Sequence, residues 1–194
     1  MKLYMTKGSG NAYKVSLLLS MLNVKYDPVI LDTANKEHKR KPFTDLNPRG
    51  QVPVIDDDGR VLWDSSACLV YLARKYGGEN WLPTEPGQAG AVQQWIALAS
   101  NEIQFGLQYA RGIVRGIRTG HYEECAELGR QGLAILDARL ASNQWLALGR
   151  PTIGDVACYP YTARAPEGNI ALDAYPAVVA WIKRFEALPG YFKN

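Results

Sequence analysis

A proline between β-branched residues, Pro53 in Gln51-Val52-Pro53-Val54-Ile55, constrains this chain more than any other single feature. Proline has no N–H to give a ladder, so this one is expected to mark a turn into an edge strand, entered through a bond open to the cis form. Downstream stand Asp64-Ser65, followed by Ala67, Leu69, Val70 and Leu72 at helical spacing. That pattern places a carboxylate and a hydroxyl at a helix N-terminus, where free N–H groups attract anions. A peptide-like ligand can pair with the backbone exposed at the first motif and lay a carboxylate in the second. A plain strand turn followed by a capped helix uses the same residues, so the two motifs alone leave both readings open.

The flanking periodicity orders the first part of the chain. Residues 2 to 6 alternate as a strand, Val15 to Leu22 reads as a helix buried on one side, and Lys25 to Leu31 reads as a second strand. Strand, helix, strand implies a right-handed parallel crossover. Val52 to Ile55 and Arg60 to Trp63 flank Asp56-Asp57-Asp58-Gly59, and Asp-Gly is a strong hairpin signal. A helix from about Ser65 to Tyr76 completes a βαβ then ββα unit over residues 1 to 77. Breakers crowd residues 78 to 85, which are expected to be a linker. From 86 to 194 the strand pattern disappears and apolar residues recur at helical spacing (Val92, Trp95, Ile96, Ala99 and Ile103, then Leu128, Leu133, Ile135, Leu136 and Leu140), so this part is expected to be all-helical. The expected fold class is therefore an α/β N-terminal domain of thioredoxin-like order plus an all-α C-terminal domain.

Charge and cysteine usage exclude several functions. A net charge of +3, dispersed except at Lys36-Glu37-His38-Lys39-Arg40-Lys41, offers no clustered basic face for nucleic acid. No apolar run reaches the roughly 20 residues of a membrane span, and the opening residues lack a signal-peptide pattern, so a cytoplasmic location is expected. Cys68, Cys125 and Cys158 match neither a metal spacing nor a redox pair; no metal is expected.

Two further stretches sharpen the reading. Leu3-Tyr4 is followed by Lys7-Gly8-Ser9-Gly10-Asn11-Ala12-Tyr13, a serine between a strand and a helix, and Pro151-Thr152-Ile153-Gly154-Asp155 opens a late apolar helix with the outline of a capping box. Taken with Asn47-Pro48-Arg49-Gly50-Gln51-Val52-Pro53 and Asp64-Ser65, these motifs resemble the cytosolic glutathione transferases, specifically their serine-type, theta-like and bacterial members, along essentially the whole chain.

The resemblance implies a site. Ser9 falls at the family's catalytic serine, with Asn11 as a supporting donor or the true one under a shifted loop register. A tyrosine-type site would fall on Met5 rather than Tyr4, and Gly10 stands where cysteine-type members have a thiol, which disfavours mixed-disulfide chemistry. Val52 and Pro53 would present backbone to the cysteinyl part of glutathione, Gln51 would approach its glycyl end with His38 near that carboxylate, and Asp64 with Ser65 would hold the γ-glutamyl ammonium and carboxylate. The acceptor pocket would be lined by Tyr13, Phe105, Tyr109 and Ile113. The implied activity is attack of the glutathione thiolate on a small hydrophobic electrophile, by conjugation or peroxide reduction, in a homodimer serving detoxification.

Each of these residues has a plainer role open to it. Serine and asparagine in a glycine-rich loop cap helices. Phe105, Tyr109 and Ile113 have core spacing, and Arg111, Arg115 and Arg118 either greet an anionic acceptor or form a solvated face. A non-catalytic assembly or ligand-binding protein of the same fold, or a specialised glutathione-dependent lyase, isomerase or dehalogenase, also fits.

Overall fold

The computed structural model describes residues 1–193 and divides them into two compact units, Met1–Gly78 joined by the segment from Pro189, and Glu79–Leu188.

The first unit is a four-stranded sheet with helices on both faces. β1 (Lys2–Met5) leads to α1 (Gly10–Met21) and β2 (Asp27–Ile30); α2 (Phe43–Leu46) follows, then β3 (Val54–Asp57), β4 (Arg60–Trp63) and α3 (Ser65–Leu72), which runs on as a π-helical turn over Ala73–Gly77. The strand order is β2-β1-β3-β4, with β1 and β2 parallel and the other two pairs antiparallel. The hairpin closes through Asp58 and Gly59, both at positive φ, as a type I′ turn requires. Alternation along the strands divides the core: Tyr4, Val29, Val54 and Val61 pack with Phe43 of α2, while Leu3 and Ile55 point to the opposite face, where α1 and α3 lie.

Two local expectations change. β3 is an inner strand, not an edge; Pro53 is tolerated because it precedes the first ladder residue, Val54, so no N–H is missed. α1 begins five residues earlier than the apolar pattern suggested and is buried almost all round from Ala12 to Leu19, because residues 189–193 return to cover it. That return also takes these residues out of the helical unit to which the composition had assigned them.

At the far end of β3, Asp57 Oδ2 accepts from Tyr71 Oη at 2.7 Å, Lys75 Nζ at 2.5 Å and Tyr76 Oη at 3.0 Å, tying the π-helical turn to the sheet.

The second unit is helical. α4 (Gly78–Trp81) bridges into it, and a long rod follows: α5 (Pro86–Leu98), a π-helical stretch Ala99–Gln108 and α6 (Tyr109–Val114). Glu85 caps the rod by accepting from the Gly87 and Gln88 amides. α7 (Tyr122–Leu140) and α8 (Ile153–Ala163) pack beside it, and α9 (Pro176–Glu186) packs on α7 and α8. The rod and α7 meet at glycines. A Cβ on Gly106 would stand 2.5 Å from Gly129 Cα, so no side chain fits between the backbones. Gly106→Ala is expected to cost about 3 kcal/mol, because overpacking here must push two helices apart; a thermal melt checks it.

Glu167 gathers three basic side chains of this unit. Its Oε2 accepts from Arg111 Nε at 2.7 Å and Arg115 Nη1 at 3.0 Å, with Arg164 Nε 3.9 Å from Oε1. Burial alone would raise this carboxyl, but the three guanidinium groups hold it below its ordinary 4.5. A depressed acid stabilises the fold above the unfolded value and loses that contribution as pH falls through the folded one. Glu167→Gln is therefore expected to flatten the acid limb of a melting-temperature profile below pH 4.5 and to lower stability above it.

Candidate functional site

Strand register brings the candidate residues of the first unit to one end of the sheet. Tyr4 pairs with Val54, and Val54 with Trp63. The loop leaving β1, the turn entering β3 and the chain leaving β4 therefore emerge side by side. Met5 pairs with Ile30, so the loop after β2, which carries His38, starts at the same end. Ser9, Gln51-Val52-Pro53 and Asp64-Ser65 follow from these exits. One residue of slip in β3 would turn the whole arrangement over.

Ser9 is the N-cap of α1 and is partly exposed; its Oγ accepts from the Ala12 amide at 3.2 Å. A hydroxyl has two lone pairs and one proton, so capping leaves the O–H available to donate. The plain role and the chemical role are thus compatible at this atom. Asn11, two residues further on, accepts at Oδ1 from Ser65 Oγ at 3.4 Å, which links the first turns of α1 and α3.

The Val52–Pro53 peptide is cis. Asn47, buried to 2% exposure, holds the approach to it: Nδ2 donates to the Gln51 carbonyl at 2.7 Å and Oδ1 accepts from the Arg49 amide at 3.0 Å. Gln51 is exposed, Val52 half-buried and Pro53 buried. Val52 lies just beyond the ladder pairing Tyr4 with Val54, where a ligand backbone can extend the sheet.

Asp64 is the N-cap of α3. Its Oδ1 accepts from the Ser66 amide at 2.8 Å while its backbone holds φ 76, in the region that favours glycine. Oδ2 lies 3.5 Å from Arg49 Nη1, and the Arg49 guanidinium sits 5.8 Å from the centre of the Trp63 ring. Arg49 was missed as a site residue in the sequence, where its only signal was its place before Gly50. Ser65, 7% exposed, heads the helix.

His38 lies in a short 3₁₀ turn, Glu37–Lys39. A Cβ on Gly50 would stand 2.7 Å from the His38 carbonyl oxygen, so this turn rests against the Gly50-Gln51 bend. His38 Nδ1 is buried without a hydrogen-bond partner. Burial, then the neighbouring Lys39 charge, push the imidazole below its ordinary 6.5, so it is neutral at pH 7. A spare serine proton and two helix N-termini at one end of the sheet are donors suited to an anionic peptide ligand.

The acceptor candidates divide between the units. Tyr13 belongs to the first, is 2% exposed, and donates its hydroxyl to the Phe192 carbonyl. Phe105, Tyr109 and Ile113 share one face of the rod in the second. Phe105 is 44% exposed and meets Tyr109 edge-on at 5.1 Å, with the Arg118 guanidinium 3.6 Å from the Tyr109 ring centre. Cys68 is sealed in the core, where burial and then Asp64 push its thiol up to about 12. Among the described residues there is no group of side chains able to hold a metal, and no helix is long and apolar enough to cross a membrane.

Comparison with known proteins matches this geometry. The family model for the glutathione S-transferase N-terminal domain covers residues 1–74, and that for the C-terminal domain covers 118–189. The chain is 28% identical to glutathione S-transferase 1 of Manduca sexta over 202 residues, spanning 100% of this chain and 91% of the relative. It is 30% identical to the maleylacetoacetate isomerase of Pseudomonas aeruginosa, spanning 92% and 87%. A solved glutathione S-transferase from Xanthobacter autotrophicus superposes with a TM-score of 0.90 at 32% identity, over 98% of this chain and 95% of that one. With both domain models matched in order on a fold whose loops converge at one sheet end, the chain belongs to the glutathione S-transferase family and is a glutathione transferase with glutathione as its cosubstrate.

Proposed function

We propose that this is a serine-type transferase in which Ser9 donates a hydrogen bond to the glutathione sulfur. The observation that carries this is the state of Ser9: its oxygen caps α1 while its proton remains to be given. Glutathione supplies the nucleophile, a thiolate that attacks a small hydrophobic electrophile. A donor aimed at sulfur favours ionisation, and lowering the thiol pKa by about two units takes roughly 2.7 kcal/mol. One hydroxyl beside a helix N-terminus is a sufficient source.

The other residues would bind. Val52 offers backbone to the cysteinyl unit, and cis Pro53 turns that backbone outward. Gln51 and neutral His38 take the glycyl end, and Ser65 with the α3 amides takes the γ-glutamyl carboxylate. Asp64 faces the ammonium from a carboxylate already braced by the Ser66 amide and Arg49. Phe105, Tyr109 and Ile113 provide an apolar face for the acceptor, and exposed Trp63 suits burial in a cytoplasmic homodimer engaged in detoxification. The test is an ultraviolet titration of the bound thiol. A thiolate signal rising well below the free-thiol value near 8.5 is expected, and a signal at the free value would sink the reading.

A second reading is a glutathione-dependent isomerase of an acidic substrate. It is favoured by the similarity to a maleylacetoacetate isomerase and by Arg118, which lies on Tyr109 with no carboxylate partner among the described residues. Under it, a carboxylate-bearing acceptor reacts faster than its neutral analogue and Arg118→Ala removes the difference.

A further inference from the structure

Residues 189–193 lie along α1, whose N-cap is Ser9. Gly190 has φ 80, and a Cβ there would fall 2.7 Å from both Met21 Cα and the Ser20 carbonyl oxygen. Only glycine allows so close a pass. Ser20 Oγ donates to the Gly190 carbonyl at 2.7 Å, and Tyr13 Oη donates to the Phe192 carbonyl, with the two rings edge-on at 5.4 Å. Tyr13 and Ser20 are seven residues apart, hence on one face of the helix. The segment thus grips the face at two points two turns apart.

The upper grip bears on the site. The Tyr13 amide donates to the Ser9 carbonyl at 3.0 Å and the Ala12 amide to Ser9 Oγ at 3.2 Å, so these two residues fix both the backbone and the hydroxyl of Ser9. Tyr13 is 2% exposed and its hydroxyl is committed to the Phe192 carbonyl, which makes it an anchor rather than a free donor.

We propose that residues 189–193 form a strap that orients the Ser9 hydroxyl through Tyr13, with Tyr13 as a positioning residue. The strap adds no atom to the reaction. It narrows the range over which the first turn of α1 moves, and a donor must be held to a fraction of an ångström to favour thiolate over thiol. This inference rests on Ser9 being the sulfur donor.

Tyr13→Phe removes the grip and keeps the ring; a chain ended at Leu188 removes the strap. In ligand-free protein, both are expected to speed amide exchange of Ala12 and Tyr13 about tenfold while that of α3 stays put. With glutathione bound, both should raise the thiol pKa and lower kcat/KM about tenfold near neutral pH, and Tyr13→Phe added to Ser9→Ala should produce no further rise. A thiol unmoved by Ser9→Ala overturns the Ser9 reading and this inference with it. A thiol moved by Ser9→Ala, together with unchanged exchange and thiol in Tyr13→Phe, overturns the strap alone. Should the shortened chain fail to fold, Tyr13→Phe decides, because it leaves the packing surface in place.

Discussion

Ser9→Ala is expected to lower turnover about a hundredfold below pH 6, the range of effect seen when one preorganised donor to a developing anion is removed. The size follows from the thiol. If Ser9 holds the bound pKa about two units below the free value, its removal cuts the thiolate fraction roughly a hundredfold wherever pH lies below the lower pKa. The sign is testable across pH: the deficit shrinks as pH rises and closes above the free-thiol value, where sulfur ionises unaided. A purely structural serine predicts a deficit independent of pH. Loss of the cap adds a stability cost of about 1 kcal/mol, read separately in a melt. Ser9→Thr keeps a hydroxyl that can both cap and donate and should recover most of the activity. If instead Asn11→Ala moves the thiol and Ser9→Ala does not, the donor is Asn11.

The largest loss of stability is expected at Asp155, far from that chemistry in kind. Its carboxylate is wholly buried and accepts from the Leu146 amide and Trp181 Nε1, both at 3.1 Å, and from the Thr152 amide at 3.0 Å and hydroxyl at 3.1 Å. With Thr152 Oγ1 accepting from the Gly154 amide, these bonds close a capping box and tie α8 to α9 and the preceding loop. Asp155→Ala strands at least three buried N–H groups, each costing about 1–3 kcal/mol, so a loss of about 4 kcal/mol and roughly 10 °C in Tm is expected. Burial pushes this carboxyl up to about 6 against the four donors. A raised acid means the folded state binds a proton that the unfolded chain has released, so its contribution falls as pH rises from the unfolded value of about 3.9 to 6 and is level beyond. Asp155→Asn should abolish that slope while keeping the fold weaker at every pH. A melt unchanged by Asp155→Ala would show that the network contributes nothing.

What the sequence disclosed, it disclosed through neighbours. Asp58-Gly59, Val52-Pro53 and Thr152 with Asp155 each specify geometry within a few residues, so turn chemistry and capping rules reach them. Ser9 was legible as a cap for the same reason. What stayed hidden depends on residues far apart. The contacts of Tyr13 and Ser20 with Phe192 and Gly190 span more than 160 positions, and no periodicity announces them. α1 looked one-sided because its second covering comes from the end of the chain. Arg49 gave no sign of Asp64 because strand register, not spacing, brings them together. The inner position of β3 was missed because proline rules describe a residue's own N–H, not how many strands lie beyond it.

Asp64 holds an aspartate where glycine would rest, at a cost of about 1–3 kcal/mol in backbone conformation. The fold therefore gives up stability at the head of α3 to keep a carboxylate there. On the binding role proposed for Asp64, a glycine at this position would trade the carboxylate for a relaxed backbone, and screens that reward heat resistance alone would drift toward it. The proposed function thus sits at a place that selection for stability alone would erase.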